Sequence, residues 1–267
     1  MSTKMLIAGG DSFTADNIKW KAWPKFLCNI GEFDEFINVA KGGAGNEWIF
    51  NSVYDAIQKY RDDYEITVVV LWSDLQRINF FDTGNKSLMS EYELLSFDTV
   101  RWHDRIEETS HLSQIVMDVC RTQIQYNDAK QMYSNMLTYS YRRLHFLEEY
   151  CKLLNIKLYH GCIFDMQNGI NVVKNISRSF TVYDTEILEP NFVKYKKQLE
   201  DSKIFMGFDF DVATYIEETG LIISEHNTHP NEEGHIHLAH MIYKFMRDGI
   251  RPKLKSERRS TRKFIYE

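Results

Sequence analysis

Long apolar runs, paired cysteines and linker-forming residues are all scarce in this chain. Of 267 residues only 4 are proline and 13 glycine, which leaves little material for flexible linkers, so one large domain over 1–250 with a basic tail at 251–267 is expected. The longest apolar run, Ile66 to Trp72, is far short of the ~20 residues that cross a bilayer, and no membrane partner is expected. Cys28, Cys120, Cys151 and Cys162 form no CxxC pair, which argues against a zinc knuckle or a disulfide framework and for reduced, buried thiols in a cytoplasm. Lys4 precedes a short apolar run that passes into Gly9-Gly10-Asp11 without a small-residue cleavage site, so the N-terminus reads as a core strand and not as a signal peptide. Excess positive charge is also absent: the formal net charge is -6, which speaks against general nucleic-acid binding. Arg251 to Lys263 is the exception, and that basic tail reads either as a solvated end or as a docking segment for a polyanion or partner protein.

What the chain does have is 43% hydrophobic residues and a high aromatic share of 14%, enough for a sizeable core. Its apolar pattern alternates between strand and helix. Lys4–Ala8, Phe36–Ala40, Ile66–Trp72 and Ile156–Tyr159 read as strands, and the third is β-branched and apolar on both faces, as a central parallel strand is. Helical spacing fills the gaps: Asn17–Ile30, with Pro24 expected to break or kink it, Glu47–Tyr60, Ala129–Leu154, Asp211–Glu218 and Pro230–Met246. This order predicts an α/β fold, a three-layer α/β/α sandwich around a parallel sheet with right-handed crossovers. Residues 79–127 break the rhythm without a strong strand and are expected to form a partly helical insertion, lying over a site or serving as a peripheral or subunit contact. Between Asp165 and Phe205 only Phe180–Val182 reads as strand-like.

Polar residues gather where these strands end. The first strand runs into Gly9-Gly10-Asp11-Ser12, and glycine there lets a turn present Ser12 at the C-terminal edge of the sheet, where open α/β folds place their chemistry. The second runs into Lys41-Gly42-Gly43-Ala44-Gly45-Asn46, which lacks the Gly-Lys-Ser/Thr ending of a phosphate cradle and the GxGxxG pattern. The third is followed by Ser73 and Arg77. Near the far end, Asn227-Thr228-His229-Pro230 offers a histidine at the start of the last helix. A serine hydroxyl is a weak nucleophile until a base takes its proton, and an early serine with a late histidine supplies both partners.

Taken together these segments resemble the SGNH/GDSL hydrolase superfamily, serine esterases and lipases on a flavodoxin-like fold. Gly10-Asp11-Ser12 matches the family's nucleophile block, Asn38 to Asn46 its glycine block, and His229 to His235 its histidine block. The resemblance implies Ser12 as nucleophile, His229 as base, and an oxyanion hole from the N–H groups of Ser12 and Gly43, with Ser73 standing where the family has asparagine. The family's acid three residues before the histidine is replaced by His226, so Glu225, His226 or Asn227 would orient the ring, or Ser12 and His229 would act as a dyad. Arg77 and Asn46 are candidates for substrate binding, with pairing to an acid of the insertion as the alternative for Arg77.

The resemblance implies deacylation of a small ester or acylated glycan, with no cofactor. The Trp-Ser-x-x-x-Arg form of the third block resembles divergent, often phage-encoded members, so the rival expectation is a catalytically silent binding or structural module, for example in a virion. An oligomer is compatible with either. His226, His229, His235, His237 and His240 crowd one segment, but without HExxH spacing or a nearby cysteine a metal is not expected there.

Overall fold

The computed structural model describes residues 2–16, 19, 21–73, 77–82, 93–98, 129–164, 190–225 and 227–255, with 77–82, 93–98, 129–137 and 190–192 described in backbone only. Its centre is a parallel sheet ordered β2-β1-β3-β6, built from β1 (Thr3–Gly9), β2 (Glu35–Asn38), β3 (Tyr64–Trp72) and β6 (Lys157–Cys162). β1 runs beside β3 from Thr3 opposite Tyr64 to Gly9 opposite Val70, and β3 runs beside β6 from Thr67 opposite Lys157 to Trp72 opposite Cys162. All four strands therefore end on one edge, and whatever follows them is delivered there.

Side chains on successive strand residues point to opposite faces, so each central strand feeds two cores. Met5, Ile7, Val68, Val70 and Trp72 face helices α2 (Asn46–Tyr60) and α3 (Ala129–Leu153), where Ile49, Val53, Leu144 and Leu147 meet them. Leu6, Ala8, Val69 and Leu71 face the other side, against α1 (Trp23–Ile30), α5 (Val212–Thr219) and α6 (Glu232–Asp248) through Trp23, Leu27, Ile216, Leu238 and Ile242. Leu6, Ile7, Val68 and Val69 are 0% exposed. Each large aliphatic buried this completely contributes roughly 1.5–3 kcal/mol, which is why both strands are apolar without alternation. The result is an α/β fold with a central parallel sheet and helices on both faces.

Several sequence expectations shift by a residue or two, and some are corrected. Pro24 does not break a helix but stands in the first turn of α1, where its missing N–H costs nothing. Pro230 does not open the last helix. It ends strand β8 (Asn227–Pro230), which pairs antiparallel with β7 (Ile222–Ser224), and Asn231 caps α6 by accepting from Gly234 N–H at 2.8 Å. The insertion carries strands where none was expected: β4 (Arg77–Asp82) and β5 (Glu93–Asp98) pair antiparallel from Arg77 opposite Asp98 to Asp82 opposite Glu93. Helix α4 (Pro190–Asp201) fills part of the stretch with a poor signal. Phe180–Val182 and the rest of the insertion lie outside the described residues.

The chain stays on the domain beyond residue 250. The Arg251 guanidinium donates to the backbone oxygens of Glu200 at 2.8 Å and Ser202 at 2.7 Å, and Lys255 N–H donates to Glu218 at 2.8 Å. No helix among the described residues is long and apolar enough to cross a membrane. Cys28, Cys151 and Cys162 are buried, and burial pushes the Cys151 thiol up to about 12, far from the thiolate form that reacts.

A polar chain crosses the apolar layer between β3, β6 and α3. Trp72 Nε1 can only donate, and it donates to His160 Nδ1 at 3.0 Å, so the ring proton of His160 sits on Nε2. Nε2 in turn faces Glu148 Oε1 at 2.8 Å, and Ser202 Oγ donates to the same oxygen at 2.5 Å. Burial pushes the Glu148 carboxyl up, but the hydrogen bonds from His160 and Ser202 outweigh it and hold it below its ordinary 4.5. A carboxyl held below its unfolded value stabilises the fold above that value and loses this contribution as pH falls through the folded one. Urea midpoints measured between pH 7 and 3 should therefore fall more steeply for the native chain than for Glu148→Gln, and parallel curves would refute the assignment.

Candidate functional site

The loop after β1 is tight. Thr14 and Ala15 N–H groups both donate to Asp11 O at 2.9 Å, and Phe13 N–H donates to Asp11 Oδ1 at 2.9 Å. A Cβ on Gly10 would collide with Thr14 Oγ1, so the turn that lifts Ser12 to the sheet edge requires glycine there. Ser12 is half-buried while Asp11 and Phe13 on either side are buried. The second loop lies alongside: Lys41 N–H donates to Gly10 O at 3.3 Å, and a Cβ at Gly42 would stand 4.0 Å from Ser12 Cβ. Lys41 to Ala44 closes as a turn through Ala44 N–H to Lys41 O at 3.0 Å, with Gly43 at φ 79° in its third position, the left-handed value a type II turn demands.

His229 arrives from the opposite end of the chain on the β7-β8 ribbon. Its Nε2 lies 2.8 Å from Ser12 Oγ. The ring's other nitrogen, Nδ1, lies 2.7 Å from Asn227 Oδ1. The His229 backbone N–H, which can only donate, also points at Asn227 Oδ1 at 3.2 Å, and this identifies that atom as the amide oxygen. An oxygen there must receive the proton of Nδ1, so Nε2 is bare and accepts from the Ser12 hydroxyl. Phe13 backs the same ring, with centroids 4.8 Å apart. A hydroxyl facing an unprotonated imidazole nitrogen whose tautomer is fixed from behind is an arrangement that can move a proton off oxygen.

The remaining candidates divide. Ser73 does not turn its proton toward Ser12: its hydroxyl donates to Asp11 Oδ2 at 2.8 Å, which corrects the expected oxyanion donation, because a buried carboxylate takes the nearest strong donor. Asn46 is likewise corrected as a substrate-binding residue. It is 3% exposed, its Oδ1 accepts from Ser73 N–H at 2.8 Å and its Nδ2 donates to Ser73 O at 3.2 Å, so its amide braces the end of β3. Glu225 is exposed and bonds to no other described residue. His226 lies outside the described residues, and of Arg77 the backbone alone is described, paired in β4.

Three further residues contribute in ways the sequence did not assign to them. Asn38 ties β2 to the serine loop, donating from Nδ2 to Thr14 O at 2.8 Å. Phe13 supports the His229 ring. His235, on the first turn of α6, is 3% exposed with its Nδ1 unbonded among the described residues, and its position six residues after His229 signals only helical proximity. Burial pushes the His235 imidazole down to about 4, with Asp16 opposing and His229 adding to the fall. A cavity of about 800 Å³ bounded by Glu148, Cys151, Leu158 and Ile204 lies at the beginning of β6, whereas Ser12 lies beyond the end of β1, so it is not part of this constellation. Among the described residues no group of three His, Cys, Asp or Glu side chains is placed to hold a metal ion.

His235 gives a pH-dependent stability. Its folded value lies below the ordinary 6.5, so the unfolded chain binds a proton first and the native state weakens as pH falls from 6.5 to about 4. The gap corresponds to about 3 kcal/mol when the site is fully buried. Denaturation of His235→Asn should lack most of this decline, and an unchanged pH slope would refute it.

No protein-family model matches the chain, and no curated protein matches it in sequence. Solved structures do. A putative lipolytic protein of the G-D-S-L family from Desulfitobacterium hafniense DCB-2 matches at 14% identity over 89% of this chain and 96% of its own, with a TM-score of 0.45. The lipase Lip_vut3 from a goat rumen metagenome matches at 10% identity over 95% and 100%, with a TM-score of 0.48. The acetyl xylan esterase AlAXEase matches at 10% identity over 90% and 98%, with a TM-score of 0.42. The chain is thus similar in structure, at low sequence identity, to a lipolytic protein, a lipase and an esterase.

Proposed function

We propose that the protein is a serine esterase that deacylates a small ester, such as an O-acetyl group on a carbohydrate, on a three-layer α/β/α frame of the flavodoxin-like type. The strand order β2-β1-β3-β6 supports that frame, since it repeats the 2-1-3-4 succession of such sheets. The observation that carries the reaction is the 2.8 Å contact between Ser12 Oγ and His229 Nε2.

The steps follow from this contact. Ser12 Oγ bonds to the acyl carbon while its proton passes to His229 Nε2, and the negative charge gathers on the former carbonyl oxygen. The N–H groups of Ser12 and Gly43 receive that charge, and each such donor is worth about 3 kcal/mol in comparable sites. The bond from the acyl carbon to the alcohol oxygen then breaks, the alcohol leaving with the Nε2 proton. Water, deprotonated by the same nitrogen, releases the acid and restores the serine.

Asn227 takes the place of the orienting acid. Its amide oxygen fixes the productive tautomer, but without a full negative charge it stabilises the imidazolium less than a carboxylate would. A slow enzyme follows. Asn227→Asp should raise kcat about tenfold, since a charge-assisted bond is stronger by roughly 1–2 kcal/mol, and Asn227→Ala should lower it. A fall in kcat for Asn227→Asp would show that the amide is required for another reason.

Fluorophosphonate labelling together with turnover of a p-nitrophenyl acetate substrate tests the whole reading. The native chain should be labelled at Ser12 and turn over the ester, and Ser12→Ala should lose both, by on the order of 10³ or more in rate. A native chain that is neither labelled nor active would favour the rival, a silent SGNH-like binding module, which the missing acid and the redirected Ser73 hydroxyl support.

A further inference from the structure

The outer face of α3 carries an apolar stripe that no other described residue covers. Tyr139, Phe146 and Leu153 are 51%, 53% and 82% exposed. They recur every seven residues, so they share one face and stand about 10 Å apart along the helix. The opposite face is spent on the core through Tyr141, Leu144, Leu147 and Cys151, each 1% exposed or less. Along one edge the stripe continues into a ring cluster shared with α2: Phe146 lies 5.7 Å from Phe50 and 6.4 Å from Tyr150, and Tyr150 lies 5.1 Å from Tyr54. Along the other edge stand Arg142 and Glu149, both exposed and seven residues apart. Contiguous apolar surface with a charged rim is how an interaction site presents itself on a soluble domain.

The charges say what fits. A parallel second helix would set Arg142 against Arg142 and Glu149 against Glu149. An antiparallel one related by a two-fold axis through Phe146 brings position 146 minus n beside position 146 plus n. Tyr139 then meets Leu153 of a second copy, and Arg142 meets its Glu149 within one residue of register, twice over. The surface is self-complementary, which an isologous contact requires and a foreign partner does not. The internal claims on these charges are weak: Arg142 rests over the Tyr139 ring at 5.3 Å, and Glu149 faces Lys152 at 3.8 Å with both largely in solvent. We propose that the chain forms a two-fold dimer through antiparallel packing of α3, with Phe146 on the axis, Tyr139 and Leu153 flanking it and reciprocal Arg142 to Glu149 pairs at the rim.

Sedimentation velocity on the full chain tests this, with thermal unfolding by circular dichroism to verify that each variant is folded. The native chain should dimerise at concentrations on the order of 10 µM, and Phe146→Glu, which sets two carboxylates on the axis, should weaken association at least about tenfold without changing the fold. Arg142→Glu alone and Glu149→Arg alone should each weaken it, and the double exchange Arg142→Glu with Glu149→Arg should restore it. Hydrogen exchange at 139–153 should slow as concentration rises. A native chain that is monomeric at high concentration, as it would be if the stripe served a different protein, overturns the proposal, and so does a dimer indifferent to all three single substitutions.

Discussion

Everything at the candidate site depends on keeping the ends of β1 and β3 level. The two strands are in parallel register up to Gly9 beside Val70, and one short bridge then joins the loops that follow them, Ser73 Oγ to Asp11 Oδ2. Asp11 is 0% exposed, and a buried carboxylate holds its place only where donors converge on it. Its Oδ1 accepts from the loop it belongs to and its Oδ2 from the neighbouring strand end. Asn46, at the start of α2, clamps that same strand end through both backbone groups of Ser73. The polar residues around Ser12 are thus spent on rigidity, while its hydroxyl faces the His229 imidazole.

This division explains what was legible beforehand. The apolar runs of β1 and β3 are buried on both faces, so composition alone marks them, and the glycines at the end of β1 are forced by close approach. Ser12 and His229 stand out because each combines a reactive side chain with a chain-reversal signal. Ser73 and Asn46 mislead for the opposite reason: their types suit an oxyanion hole or a substrate contact equally well, and the deciding fact is the buried appetite of Asp11 and of a strand terminus, which is long-range. Asn227 was one of three possible ring partners, and local geometry decides it, since a residue two positions earlier on an extended ribbon lies on the same side as the histidine.

The missed elements share a cause. The strands β4 and β5 pair with each other and not with the main sheet, so neither shows the doubly buried pattern that marks a central strand. Helix α4 is short and rich in lysine, and among its described side chains Leu199 is the fully buried apolar one with Tyr195 half-buried beside the core, too sparse a pattern to read as a period. Pro24 and Pro230 were assigned by the rule that proline punctuates helices, and each does so, one from inside the first turn and the other from the strand that precedes it.

The adjacency of Ser12 and Phe13 has a mechanical result. One residue bonds the imidazole at its edge and the next supports its flat side, so a displacement of their loop carries the oxygen and the ring's backing together. The imidazole's bonded edge and its supported face thus answer to one short turn, where two separately mounted supports would each have to be placed.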